Sequence, residues 1–157
     1  MANVKTIYVR VVTKDIENAG TDGDIYVGIG GREFHLDSKG DYNDFERGDD
    51  RTYILGELPS MPPDNSTAIQ NPTANDPQQP YALKTENLND YPVYIRLDEA
   101  RFDSYWALDF VEIRVNPDDD NIVFNALEDE KEYLWFGWNW GFTLYLQGKP
   151  NVMPPPG

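Results

Sequence analysis

Three short oxygen-rich stretches hold the residues with the most obvious chemical capacity. In "NAGTD", Asn18, Gly20, Thr21 and Asp22 lie within five positions, so side-chain and main-chain oxygens can converge in one tight loop. A second stretch, "LDSKGDYNDFERG", supplies Asp37, Ser38, Gly40, Asp41, Asn43 and Asp44, and a third, "RFDSYW", adds Asp103 and Ser104. Calcium takes six to eight oxygen ligands from carboxylates, carbonyls and hydroxyls, and these loops are rich in all three. If the fold brings them to one end, their like charges repel unless a cation lies between them. Acids and amides are also ordinary turn formers, and neither the EF-hand spacing nor the calcium-binding nonapeptide repeat is present. Composition therefore leaves both a turn and a cation site open.

The segments that must position these loops alternate apolar and polar residues. "KTIYVRVVT", "DIYVGIGG", "REFHLD", "RTYILGEL", "YPVYIRLDEA", "ALDFVEIRVN" and "NIVFNAL" each read as a half-buried strand, separated by turn residues such as "NPDDDN". No long helical period appears. The pattern predicts an all-β sandwich of roughly eight short strands spanning residues 1–148. Between about 56 and 91 prolines, amides and small polar residues replace the alternation. This insertion cannot bury enough apolar area to order itself alone, and its plain reading is a solvated connection. The tail 149–157, "KPNVMPPPG", is expected to be extended.

Charge narrows the partners. The 157 residues carry 28 acids against 13 Lys and Arg, a formal net charge of -15, with no basic stripe to meet a phosphate backbone. Nucleic acid is excluded as an expected partner. An anionic membrane is unfavourable too, unless divalent cations neutralise the acids. The absence of cysteine removes disulfides, thiolate metal sites and cysteine nucleophiles. His35 is the one histidine and lies within an alternating run, where a hydrogen-bonded strand residue is the expectation rather than a catalytic base. No nucleophile elbow, P-loop or zinc-binding histidine pair occurs, so no enzyme activity is expected.

"AGTDGDIYVGI", "LDSKGDYNDFERG" and "DSYWALDFVEI", in this order and spacing, resemble the PLAT domain family, named for polycystin, lipoxygenase and alpha-toxin. "YNDFERG" is similar to the family signature and "YLWFG" to its penultimate-strand tryptophan segment. The resemblance covers most of residues 4–137, interrupted by the insertion. It implies an eight-stranded antiparallel β-sandwich whose end loops bind Ca2+ and dock on lipid or protein, with catalysis in a separate domain where there is any. One implied site uses Asn18, the Gly20 carbonyl, Asp103 and the Ser104 carbonyl. The other uses Thr21, Asp22, Ser38, Gly40 and Asp44, with Asp37 close by and Asp41 as the alternative to Asp44. Asn18 and Ser38 depart from the aspartate and asparagine found in calcium-binding members, so the expected affinity is low, roughly 10⁻⁴ to 10⁻³ M. Such sites would fill outside a cell better than in cytosol, which favours an extracellular setting.

Docking members of the family carry tryptophans on these end loops. Trp106 is at such a position with Phe102 and Tyr105 beside it, whereas the first loop has Glu17 where an aromatic is expected. Trp138 and Trp140 flank Asn139 between two glycines, as at a hairpin tip suited to protein, lipid or carbohydrate contact. Trp135 is expected in the core, as is Phe45, with Glu46 and Arg47 pairing to fix their loop. The missing first-loop aromatic, together with the insertion and the Trp-Asn-Trp tip as unusual surface outside the family pattern, tilts the expectation toward a calcium-stabilised protein contact or self-assembly, ahead of a lipid surface.

Overall fold

The computed structural model describes residues 2–98, 105–129 and 131–148, and these form two packed sheets. Alternation explains the strands. β1 (Thr6–Thr13) and β4 (Asp50–Gly56) pair antiparallel, and β1 also pairs with β7 (Trp106–Val115), which continues to β8 (Ile122–Ala126) and β11 (Gln147–Gly148). β9 (Leu134–Phe136) pairs with the first residues of β7. The facing sheet runs β10 (Thr143–Tyr145), β6 (Tyr94–Asp98), β2 (Asp24–Ile29) and β3 (Arg32–His35). Ile7, Val9 and Val11 of β1, Ile25, Val27 and Ile29 of β2, and Val111, Ile113 and Val115 of β7 fill the space between the sheets.

The expected all-β sandwich is thus present, with eleven strands among the described residues because several short ones join the longer set. It departs from a purely antiparallel arrangement at one pair. β5 (Ser66–Ala68), inside the insertion, runs parallel to β4.

The insertion is ordered on the sandwich, which corrects its reading as a solvated connection. Ile69, Asn75 and Leu88 within it are buried. β5 covers the free edge of β4, while the Asn75 side chain accepts the His35 amide of β3 at 2.7 Å, capping the edge of the other sheet. Farther on, the Leu83 carbonyl accepts the Val4 amide at 2.7 Å, and a 3-10 turn, Thr85–Asp90, follows. A segment too polar to make a core of its own therefore orders by satisfying two sheet edges that would otherwise expose unpaired backbone groups.

One irregularity governs the loop end. Opposite β1, the β7 register jumps from Phe110 against Val12 to Leu108 against Thr13, so β7 carries an extra residue. Because side chains alternate with period two, this bulge reverses the inward phase. Val111, Ile113 and Val115 face the core on one side of it, and Trp106 and Leu108 do so on the other.

Candidate functional site

The end of β1, the start of β2, the end of β3, the start of β4 and the start of β7 meet at one end of the sandwich. The loops between them, 14–23 and 36–49, are tied together by backbone hydrogen bonds. The Thr21 amide donates to the Phe45 carbonyl at 3.0 Å and the Gly48 amide to the Lys14 carbonyl at 3.3 Å. Gly20 sits so close to Phe45, Glu46 and Arg47 that a Cβ would lie 3.1 to 3.2 Å from their backbone atoms. Only glycine permits this approach without a shift of the second loop.

Phe45 anchors the arrangement. Its ring is buried, stacks on Tyr53 at 5.5 Å and meets Trp106 edge-on at 5.6 Å, while its backbone holds a left-handed φ of 59°. The expectation for Phe45 holds, but that for its neighbours is corrected. Arg47 pairs with Asp15 of the first loop at 2.9 Å, and Glu46 accepts from Asn43. The arginine thus fastens one loop to the other instead of closing its own.

Two depressions open at this end. One, about 300 Å³, is lined by Asn18, Gly20, Thr21 and Asp22 with Glu46 and Arg47. The other, about 260 Å³, is lined by Thr21 and Asp22 again, with Asp24, Asp37, Asn43 and Asp44 among its walls. Asp22 belongs to both. Asp37 is held above the usual carboxylate range, first by burial and further by Asp44 and Asp24, with His35 acting in the opposite direction. For an acid raised in this way the folded state keeps its proton more tightly, so ionisation costs stability as the pH rises through the raised value. A cation beside Asp37 and Asp44 would offset that cost.

The remaining candidate ligands divide. Asp44 acts first as an organiser of its loop: its carboxylate accepts the Ser38 amide at 2.9 Å, the Ser38 hydroxyl at 2.5 Å and the Tyr53 hydroxyl at 2.7 Å. Ser38 is buried and spends its hydroxyl on that contact. Gly40 donates its amide to Gln70 of the insertion, and the Asp37 carbonyl accepts the Gln70 amide. Asp41 is exposed and lines neither depression. Phe102, Asp103 and Ser104 lie outside the described residues. Among the described residues no three acidic or histidine side chains converge closely enough to form a metal centre by themselves. Any calcium site here must draw on carbonyls, hydroxyls and amides as well.

The aromatic expectations are partly overturned. Trp106 is fully buried, donates its indole N–H to the Thr13 hydroxyl at 3.0 Å and packs on Phe136, so it is a core residue and cannot dock on anything. Phe136, not Trp135, is the buried member of β9, and Trp135 is half-buried. Gly137 and Gly141 bridge to close the hairpin tip, leaving Trp138 and Trp140 51% and 54% exposed. Trp140 packs against half-buried Tyr105 at 5.5 Å and Trp135 at 5.9 Å, and Trp138 stands edge-on to Phe142 at 5.9 Å. Since Phe136 pairs with Trp106, this hairpin projects from the same end as the two depressions. His35 stacks on Tyr26 and lies 3.3 Å from Asp24, as a hydrogen-bonded strand residue.

No family model matches the chain, and no curated protein matches it. Solved structures do. Alpha-toxin from Clostridium absonum is 22% identical over 92% of this chain, with a TM-score of 0.56, and alpha-toxin from an avian strain of Clostridium perfringens is 22% identical over 93%, with a TM-score of 0.57. A lipoxygenase variant is 19% identical over 92% of the chain, with a TM-score of 0.52. The chain spans 32% of each toxin and 16% of the lipoxygenase. At such identities the likeness is one of fold, and it agrees with the PLAT-type sandwich that the motifs imply.

Proposed function

We propose that this chain is a non-catalytic module that binds calcium between its end loops and attaches through that end to a lipid surface. The observation that carries the reading is the shared location of the Trp138–Trp140 hairpin and the two oxygen-lined depressions. An amphipathic indole suits the headgroup layer. Burying the exposed half of each ring, about 100 Å², contributes roughly 2–3 kcal/mol per tryptophan. The surrounding acids oppose approach to lipid phosphate, and calcium held by Asn18, Gly20, Thr21, Asp22 and Asp37, with Asp44 shaping the second loop, would turn that repulsion into a bridge. Two of the three facts that tilt the bare sequence toward a protein partner, the insertion and the tryptophan hairpin, change weight here. The insertion is occupied in covering sheet edges, and the hairpin supplies the aromatics that the first loop lacks.

Vesicle co-sedimentation tests the reading. The protein should pellet with vesicles containing phosphatidylserine in millimolar calcium and stay in solution in EDTA, and the double variant Trp138→Ala/Trp140→Ala should bind at least tenfold more weakly. Equal pelleting of wild type and double variant, or none at any calcium level, would refute it. A second reading, attachment to a protein partner or a second copy, is favoured by the packing of Trp140 on Tyr105 and Trp135, which makes a stiff aromatic surface of the kind that anchors interfaces.

A further inference from the structure

The outer face of the four-stranded sheet carries a second aromatic feature away from the loop end, independent of the calcium reading. One row crosses all four strands: Tyr145 pairs with Tyr94, Tyr94 with Gly28, and Gly28 with Glu33. The Tyr94 ring lies across Gly28 so closely that a Cβ there would be 2.2 Å from it. A glycine inside a strand weakens the strand and marks a place of close approach. The Tyr94 hydroxyl donates to Glu33 at 2.6 Å, and Arg96 grips the same carboxylate with two hydrogen bonds, at 2.6 and 2.8 Å. Tyr145 stands nearly perpendicular to Tyr94, with centroids 6.2 Å apart, and is 63% exposed. Filling the space above a glycine accounts for Tyr94, but it gives no packing reason for so exposed a ring at Tyr145.

Floor ring, upright ring and fixed polar pair together match one ligand chemistry. A pyranose presents a flat C–H face and a rim of hydroxyls, the first suited to the Tyr94 ring beside Tyr145, the second to the Glu33 carboxylate and Arg96 guanidinium. We propose that this sheet face binds a neutral polysaccharide. The neutral class follows from charge: at -15 overall, with Asp24 and Asp98 paired farther along the same face, beyond the Tyr26–Arg96 pair, the face repels sulfated or uronic acid polymers. Arg96 and the Tyr94 hydroxyl hold Glu33 down to about 2, so its acceptor oxygens stay ionised throughout the neutral range.

Native gel electrophoresis in EDTA, with hydroxyethylcellulose, galactomannan or soluble starch in the gel, tests this separately from calcium binding. At least one polymer should slow the wild-type protein twofold or more. Tyr145→Ala and Tyr145→Thr, the latter keeping strand propensity, should abolish the retardation, while Trp138→Ala/Trp140→Ala should leave it intact. Absence of retardation in all three gels overturns the proposal. So does retardation of both Tyr145 variants equal to wild type, or a shift from dimer to monomer on replacing Tyr145, which would make a second copy the occupant.

Discussion

Trp106→Ala should lower the free energy of unfolding by about 3–5 kcal/mol, the range for emptying a large aromatic site in a core. The indole fills the junction of Phe45, Phe136 and Thr13, and removing it also leaves the Thr13 hydroxyl without its donor. Urea denaturation measures the loss directly. The expected contrast is with Trp138→Ala, which should cost less than about 1 kcal/mol because half of that ring is already in water. A loss below about 1 kcal/mol at Trp106 would mean that the bulge in β7 does not turn this side chain inward.

Asp44→Ala should cost about 2–4 kcal/mol. It removes the shared acceptor of the Ser38 amide, the Ser38 hydroxyl and the Tyr53 hydroxyl, and each partly buried donor left unpaired is expensive. Burial and hydrogen bonding to Asp44 both raise the Tyr53 pKa, so the phenol stays neutral and keeps donating across ordinary pH. The variant also takes a negative charge away from Asp37. In the wild type, stability is lost as the pH rises through the raised pKa of Asp37, and in Asp44→Ala that loss should be smaller. Denaturation curves across the acid range read both effects, and an unchanged midpoint would show that the Ser38–Asp44–Tyr53 network contributes nothing.

Alternation made the long strands legible because each has one buried and one wet face, and the glycine-bounded Trp-Asn-Trp tip declared itself as a hairpin. What stayed hidden depended on tertiary pairing. "STA" at 66–68 has no pattern of its own and becomes a strand only because β4 offers it an edge. Trp106 reads as a loop aromatic if β7 alternates without interruption, and only the bulge reveals its inward phase. Arg47 has an acidic neighbour in Glu46, yet its partner is Asp15, 32 positions away. The oxygen-rich loops were legible as loops. That Asp22 borders both depressions, and that Asp44 is consumed by Ser38 and Tyr53, follows from how the loops fold onto each other.

Whether the loop end binds calcium is decided by the thermal midpoint in EDTA followed by increasing calcium. A ligand that binds only the native state adds stability by mass action, about 2.7 kcal/mol at 100 times its dissociation constant. Calcium held between the loops gives a dose-dependent rise through the millimolar range, reduced in Asp22→Asn, which alters the one acid common to both depressions. A midpoint that stays fixed across millimolar calcium would contradict it, leaving the acids of these loops as turn formers and the sandwich as a calcium-independent scaffold.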